Sequence, residues 1–337
     1  MSAPGYEIVP YRPEFAEAVA RLHSTLNPLD DPLLSARYLQ WKYEENPWLP
    51  ERLMYVALCD GEPVAMRGAF GSLWEMGPDL QVLPCLADLV VAPEHRDRGL
   101  FTQIMRPLTA ALIDRGFPYA LNLSAAPVTA MAGLAQGFKS IASVDQWGGG
   151  GIRPPTSRTR LFQRIDLEDE PGPDAMAALI EEIGGVGPVR HRRDHAFFSW
   201  RYRNPLSRYR FLHSRNRFTG RLDGYLVVMD RDDDVVWIMD WEARDTRIAG
   251  DLLDAALRVA GPRYLLGWTF GIAESYRQLL VSRGFEQSAQ GFGVENMGIR
   301  VMAKSLAGAR LHYPDSNTPS IFSAGNWDYR LVYADCF

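Results

Sequence analysis

The chain reads as a mixed α/β protein in which one unit of strands and helices is written twice. Three observations predict this. The string QWKYEENP at 40–47 returns as SWRYRNP at 199–205. Tryptophan is rare, so a Trp-basic-Tyr run closing on Asn-Pro that recurs 159 residues later marks an internal repeat. Each half also carries a hairpin signal, and each then carries a buried-strand pattern running through a turn into an amphipathic helix.

The elements follow in the same order in both halves. GYEIVPY alternates as a strand, and PEFAEAVARLHSTL places apolar residues at helical spacing. A second helical stretch ends in ARYLQWKYEENP, where proline disfavours a helical residue before it and makes Asn46 a helix exit. RLMYVALCDGEPVAMRGAF reads as two strands joined at Asp60-Gly61. CLADLVV is a buried strand, followed by the helix FTQIMRPLTAALIDRG, the strand YALNLSA and a helix closing in AQGF. In the second half RLFQRIDLE, DAMAALIEEIG, HAFFSWRYRNP, YRFLHSRNRFTGRLDGYLVVM, VVWIMDW, AGDLLDAALRVAG, YLLGWTF and AESYRQLLVSRGF repeat the plan. Asn204 matches Asn46, Asp240 matches Asp88, and Gly284-Phe285 matches Gly137-Phe138. The Trp-Tyr pairs are expected to pack each helix exit onto its sheet. The glycines and prolines of WGGGGIRPPTSR interrupt the pattern and put the division between domains at 1–152 and 153–337.

With 337 residues, 47% hydrophobic and 23% charged, the chain has the composition of an ordinary globular protein. No apolar run approaches the roughly 20 residues of a membrane helix, and no secretory signal pattern opens the chain. Cys59, Cys85 and Cys336 are odd in number and widely spaced, and the six histidines show no metal-ligand spacing. A cytoplasmic protein without a metal is the expectation. The net charge of −5 argues against bulk nucleic-acid binding. Ten arginines fall between Arg190 and Arg221 against one acid, Asp194. They form either a solvated basic face or a docking surface for a phosphorylated ligand.

The stretch LADLVVAPEHRDRGLFTQIM, 86–105, carries the chemistry. A strand leads through a basic turn containing Gly99 into a helix N-terminus, where unpaired N–H groups and the helix dipole make an anion site. Gly99 allows close approach of the backbone, and Arg96 and Arg98 add charge.

This arrangement resembles the acetyl-CoA-binding motif of the GNAT acyltransferase superfamily, V-x-P-x-x-R-x-x-G, written here VAPEHRDRG. The Gly-Phe endings and the order of elements are similar too, so the resemblance spans nearly the whole chain. It implies two tandem GNAT-like domains, each a mixed, splayed, mostly antiparallel sheet flanked by helices. It implies acetyl-CoA or another acyl-CoA as co-substrate, its pyrophosphate on the N–H groups of Arg98, Gly99, Leu100 and Phe101 with Arg96 nearby. The pantetheine arm would lie along Val90 and Val91, and Val91 N–H would be the oxyanion donor. Two departures stand out. Phe101 occupies a position that is usually small and is expected to crowd the loop. Gly133 stands where many members carry a tyrosine acid. In the second half only Arg247 and Gly250 echo the motif, and Asp251 would set a carboxylate against the phosphates. The second copy is therefore expected to lack cofactor binding and to have a structural or acceptor-site role.

Amide formation needs a neutral amine, an oxyanion stabiliser and a proton acceptor. Asp88, on the strand before the loop, is the candidate base, although Asp240 at the matching position equally fits a structural role. The tail SIFSAGNWDYRLVYADCF resembles those of GNAT proteins of surface-polysaccharide synthesis. With the arginine cluster, it points to an amino-sugar nucleotide as a possible small-molecule amine acceptor. Two other readings are a FemABX-like aminoacyl transferase using charged tRNA and a CoA-binding regulatory protein without turnover. Oligomeric state is not legible in the sequence.

Overall fold

The computed structural model describes residues 5–26, 31–152, 162–230, 234–287, 299–306 and 319–334. Cys336 and most of the Pro-containing stretch after Gly151 lie outside them. In the first half the chain forms β1 (Glu7–Pro10), α1 (Ala16–Ser24), α2 (Pro32–Leu39), a π-helical turn (Gln40–Glu44), β2 (Leu53–Cys59), β3 (Glu62–Met76) and β4 (Asp79–Val91). Next come α3 (Leu100–Asp114), β5 (Tyr119–Ala125), α4 (Pro127–Ala135), β6 (Lys139–Val144) and β7 (Gln146–Gly150). The second half runs β8 (Gln163–Glu168), α5 (Pro173–Ile183), β9 (Val189–His191), α6 (His195–Arg201), β10 (Arg208–Asn216), β11 (Leu222–Asp230) and β12 (Val235–Ala243). It continues α7 (Thr246–Ala260), β13 (Tyr264–Trp268), α8 (Glu274–Ser282), β14 (Glu286–Gln287), β15 (Ile299–Ser305) and β16 (Trp327–Asp328).

Two mixed sheets result. The first runs β1-β2-β3-β4-β5-β15-β6, with β9 and β16 added beside β3, and the second runs β14-β7-β13-β12-β11-β10-β8. The orders correspond position by position, with one exchange. The sixth strand of each sheet, counting from β1 and from β8, comes from the other half: β15 enters the first sheet and β7 the second. Chain order and sheet membership therefore part company at residues 146–150 and 299–305.

The repeated Trp strings meet at the join between the halves. Trp41 and Trp200 stack with centroids 5.0 Å apart. Each indole donates to the other's carbonyl, Trp41 Nε1 to Trp200 O at 2.8 Å and Trp200 Nε1 to Trp41 O at 2.9 Å. The tyrosines of the two strings pack onto their own sheets, Tyr43 over Gly68 of β3 and Tyr202 against Tyr209 and Phe211 of β10. The tryptophans meet each other instead: a buried indole N–H needs an acceptor, and the matching carbonyl of the other copy supplies it. The asparagines close the turns as expected. Asn46 Oδ1 accepts from the N–H groups of Trp48 and Leu49, and Asn204 Oδ1 accepts from Leu206. The tail, buried from Trp327 to Ala334, joins the halves again: Tyr329 donates to Leu123 O of β5, while Arg330 pairs with Glu242 of β12.

Candidate functional site

Both sheets open where the fourth and fifth strands separate. β4 and β5 run parallel and share a single register pair, Cys85 with Leu121, so β4 beyond Cys85 has no ladder on that side. On its other side β4 stays paired with β3, and there it carries a bulge: Gly68 faces Ala87 and Met66 faces Val90, leaving Arg67 opposite both Asp88 and Leu89. Asp88 takes φ 52°, a conformation that a non-glycine residue adopts only where its surroundings impose it. Val91 faces Ala65, while Ala92 N–H donates to Val64 O at 2.9 Å. Hydrogen-bonded and open pairs alternate along an antiparallel ladder. The Val91 N–H therefore turns away from β3, toward the gap beside β5.

The β4–α3 turn has the features of an anion cradle. Gly99 is the residue before α3, at φ 70°, and a Cβ built on it would meet nothing within 4 Å. Its left-handed backbone explains the glycine, and the open space in front of it leaves room for a ligand. No side chain caps α3, no acid lies in its first turn, and the first backbone bond into the helix runs from Gln103 N to Gly99 O. The N–H groups of Leu100 and Phe101 precede that bond. Arg96 and Arg98 are exposed; Arg96 Nε donates to Val91 O at 3.2 Å, and Arg98 donates to Tyr6 OH at 3.1 Å. Val90 and Leu100 are buried anchors. Phe101 packs into the cluster of Leu108, Leu86 and Ala69. The crowding expected from its ring is thus relieved, because the side chain turns to the core. Gly133 lies beneath Met302 of the exchanged strand β15, so no hydroxyl acid stands at that place.

The matching turn of the second half is closed. Asp245 caps α7, its carboxylate accepting from Ile248 N at 2.8 Å. Arg247 and Gly250 both lie inside the helix rather than in a loop, so their R-x-x-G spacing builds no cradle. The carboxylate at the helix N-terminus is Asp245, not Asp251. The tail also bridges the ends of β12 and β13: Trp268 Nε1 donates to Tyr329 O, and Arg330 reaches Glu242 and the carbonyl of Gly271.

Around Asp88 the structure gathers residues that the sequence reading did not single out. Tyr43 OH donates to Asp88 at 2.5 Å, Lys42 Nζ lies 3.1 Å away and His23 Nε2 3.5 Å. Lys42 also donates to Tyr38 OH at 2.8 Å. The π turn lets consecutive residues, Lys42 and Tyr43, both reach one carboxylate. Burial raises the Asp88 pKa, but Lys42, His23 and Tyr43 outweigh it and hold the carboxyl well below the usual range. Burial pushes Lys42 down to about 8, with Asp88 opposing. At the matching place, Asp240 is raised by burial against the pull of Arg193, to which it is paired at 2.9 Å. The signal for this cluster was in the repeat itself: a basic residue sits between two core aromatics in both strings, and Lys42 and Arg201 are both buried.

The arginines of 190–221 do not form one surface. Arg190 and Arg192 pair with Glu75, Arg193 with Asp240 and Glu242, Arg210 with Asp230, Arg215 with Glu168 and Arg221 with Asp223. Arg201 donates to the carbonyls of Val332 and Ala334. Their partners are spread over β3, β8, β11, β12 and the tail, which disperses the phosphate-docking surface the sequence allowed.

Residues 19–138 match the model of the acetyltransferase (GNAT) family. That segment is a GNAT domain. Solved structures share the fold over most of the chain. A protein of Enterococcus faecalis V583 described as a probable N-acyltransferase is 11% identical, covering 90% of this chain and 73% of that one, with a TM-score of 0.67. A GCN5-related N-acetyltransferase from Anabaena variabilis is 13% identical over 90% and 73%, with 0.63. A tandem GNAT protein from the clavulanic acid biosynthesis pathway is 12% identical over 90% and 100%, with 0.60. No curated protein matches the chain significantly. The family match covers residues 19–138 alone. Among the described residues no helix is long and apolar enough to cross a membrane, and no group of side chains is suited to hold a metal.

Proposed function

We propose that the protein is an acyl-CoA-dependent N-acyltransferase, acetyl-CoA being the simplest donor, with one cofactor site in the first half and a small-molecule amine as acceptor. The observation that carries this reading is the contrast between two equivalent helix starts: α3 begins uncapped behind Gly99, and α7 begins under Asp245. In the proposal the pyrophosphate meets Arg98, Gly99, Leu100 and Phe101 with Arg96 beside them, and the pantetheine arm follows Val90 and Val91. When bound, the co-substrate supplies an activated thioester. The amine nitrogen bonds to the thioester carbon, the oxyanion is met by Val91 N–H, and the C–S bond breaks to release CoA thiolate. The amine's proton leaves toward the Asp88–Lys42 pair. Asp88 alone is a weak acceptor at so low a pKa, whereas the pair has a basic member near neutrality in Lys42. The halves, taken as domains 1–152 and 153–337, divide the work: the second contributes β15 to the first sheet and binds no acyl-CoA of its own.

The test is release of CoA thiol from acetyl-CoA across a panel of amines, amino-sugar nucleotides included, with product mass recorded. Wild type and Gly250→Ala should turn over at least one amine, and Gly99→Asp none. Tight acetyl-CoA binding without turnover of any amine would favour the regulatory reading, for which the absent hydroxyl at Gly133 speaks.

A further inference from the structure

Among the described residues four arginines are buried: Arg67, Arg193, Arg201 and Arg330. Three are fully answered by the chain. Arg193 pairs with Asp240 and Glu242, Arg330 with Glu242 and Asp328, and Arg201 donates to two carbonyls and to Tyr209 OH. Arg67 is not. It is 4% exposed, its Nε has no hydrogen-bond partner, and its guanidinium makes no hydrogen bond or ion pair among the described residues. The carboxylate whose charge acts on it, Asp88, is already engaged by Lys42, Tyr43 and His23. A guanidinium has five donors and never loses its charge in a protein's working range, so burying it unanswered is unfavourable.

The position of this cation gives it a use. Arg67 is the one residue of β3 opposite the β4 bulge. Ala65 and Ala69, two residues to either side and on the same face, pack against Leu100 and Ile104, and against Met105 and Leu108. Arg67 thus lies between the sheet and α3, the helix at whose start the cofactor site is placed, and it is one strand spacing, about 4.8 Å, from β4. Val91, with its N–H toward the gap, is two register pairs along the same ladder.

We infer that Arg67 binds a carboxylate carried by one of the two substrates, either on the acyl group of the donor or on the amine acceptor. The inference rests on the acyltransferase reading. A carboxylate matches the planar fork of a guanidinium with two parallel hydrogen bonds. Delivered to the bulge, it neutralises the one buried arginine that, among the described residues, has no partner. Burial has pushed the Arg67 pKa down to about 10 against the opposing pull of Tyr43 and Asp88, in keeping with a charge that lacks a close partner.

The experiment uses the full chain as wild type, Arg67→Met and Arg67→Lys. In the donor arm, acetyl-CoA and succinyl-CoA are titrated by calorimetry. In the acceptor arm, acetyl transfer is compared between α-amino acids and their amides. The expected result is a preference of tenfold or more for the carboxylate form in one arm, lost in Arg67→Met and partly kept in Arg67→Lys. Acetyl-CoA binding should be unchanged in both variants. Arg67→Met should melt no lower than wild type without ligand, since it removes an unanswered charge; a lower melting temperature would mean that the chain itself holds the guanidinium, and would overturn the inference. Acetyl-CoA binding with no carboxylate preference in either arm would overturn it while leaving the acyltransferase reading standing. Failure of wild type to bind either thioester would overturn both.

Discussion

Replacing Lys42 by methionine isolates the buried pair beneath the β4 bulge. Methionine keeps the length and apolar stem of lysine but leaves Asp88, whose side chain is 5% exposed, without its cation. Breaking a buried pair from one side costs about 3–5 kcal/mol. Tyr43 and His23 still contact the carboxylate, so the lower end applies, about 3 kcal/mol. If the exchanged strands make the 337 residues one cooperative unit, the unfolding entropy of about 2.1 cal/mol/K per residue converts this to a melting point lower by about 4 °C. The pH dependence adds a sign. Lys42 has a folded pKa of about 8, below its ordinary value of 10.5, so the unfolded chain holds that proton to higher pH. Wild-type stability should therefore gain a contribution as pH rises from about 8 to 10.5, and Lys42→Met should lack it. Asp88 acts at the other end: its depressed pKa contributes stability above the ordinary carboxylate range, lost as pH falls through that range and below. Calorimetric melts of both proteins between pH 6 and 10 measure these effects. Equal melting points with parallel pH profiles would refute the claim that Lys42 and Asp88 are a buried, coupled pair.

Other outcomes follow from the same geometry. Trp41→Ala should cost about 3–5 kcal/mol in denaturant unfolding and leave the Trp200 indole N–H facing an altered join, whereas Trp41→Phe should cost about 1 kcal/mol by losing one hydrogen bond. Asp245→Ala should lower stability by about 0.5–2 kcal/mol through loss of the α7 cap, without weakening acetyl-CoA binding in the first half. The rate of acyl transfer at low substrate should rise with pH through about 8 and level off above it, and Lys42→Met should flatten that rise; a profile unchanged by the substitution would remove Lys42 from the proton path.

Much of this was legible in the sequence because it depends on short-range rules. The doubled plan, the hairpin at Asp60-Gly61 and the Asn-Pro turns rest on local backbone preferences, and VAPEHRDRG shows its glycine and its missing cap within nine residues. The strand exchange was not legible: β7 and β15 have strand patterns whichever sheet they join, and the choice is made by long-range pairing. The pairing of Trp41 with Trp200 was hidden for a related reason, since a buried aromatic looks the same whether it packs on its own sheet or on its copy. The arginines of 190–221 misled because clustering in sequence does not imply clustering in space when alternate residues of strands face opposite ways. Lys42 and Arg67 went unseen because a charge in a strand or helix is normally a solvated one, and only the fold reveals that both are buried.

The central claim is one acyl-CoA site per chain, at the start of α3. Titration of acetyl-CoA into the full chain and into Gly99→Asp tests it most directly. An added carboxylate at that helix start opposes the pyrophosphate where the dipole and free N–H groups now favour it, which should weaken binding by about tenfold or more. The account predicts a stoichiometry of one for wild type and binding weakened about tenfold or more in Gly99→Asp; a stoichiometry of two, or an affinity left unchanged by the substitution, would contradict it.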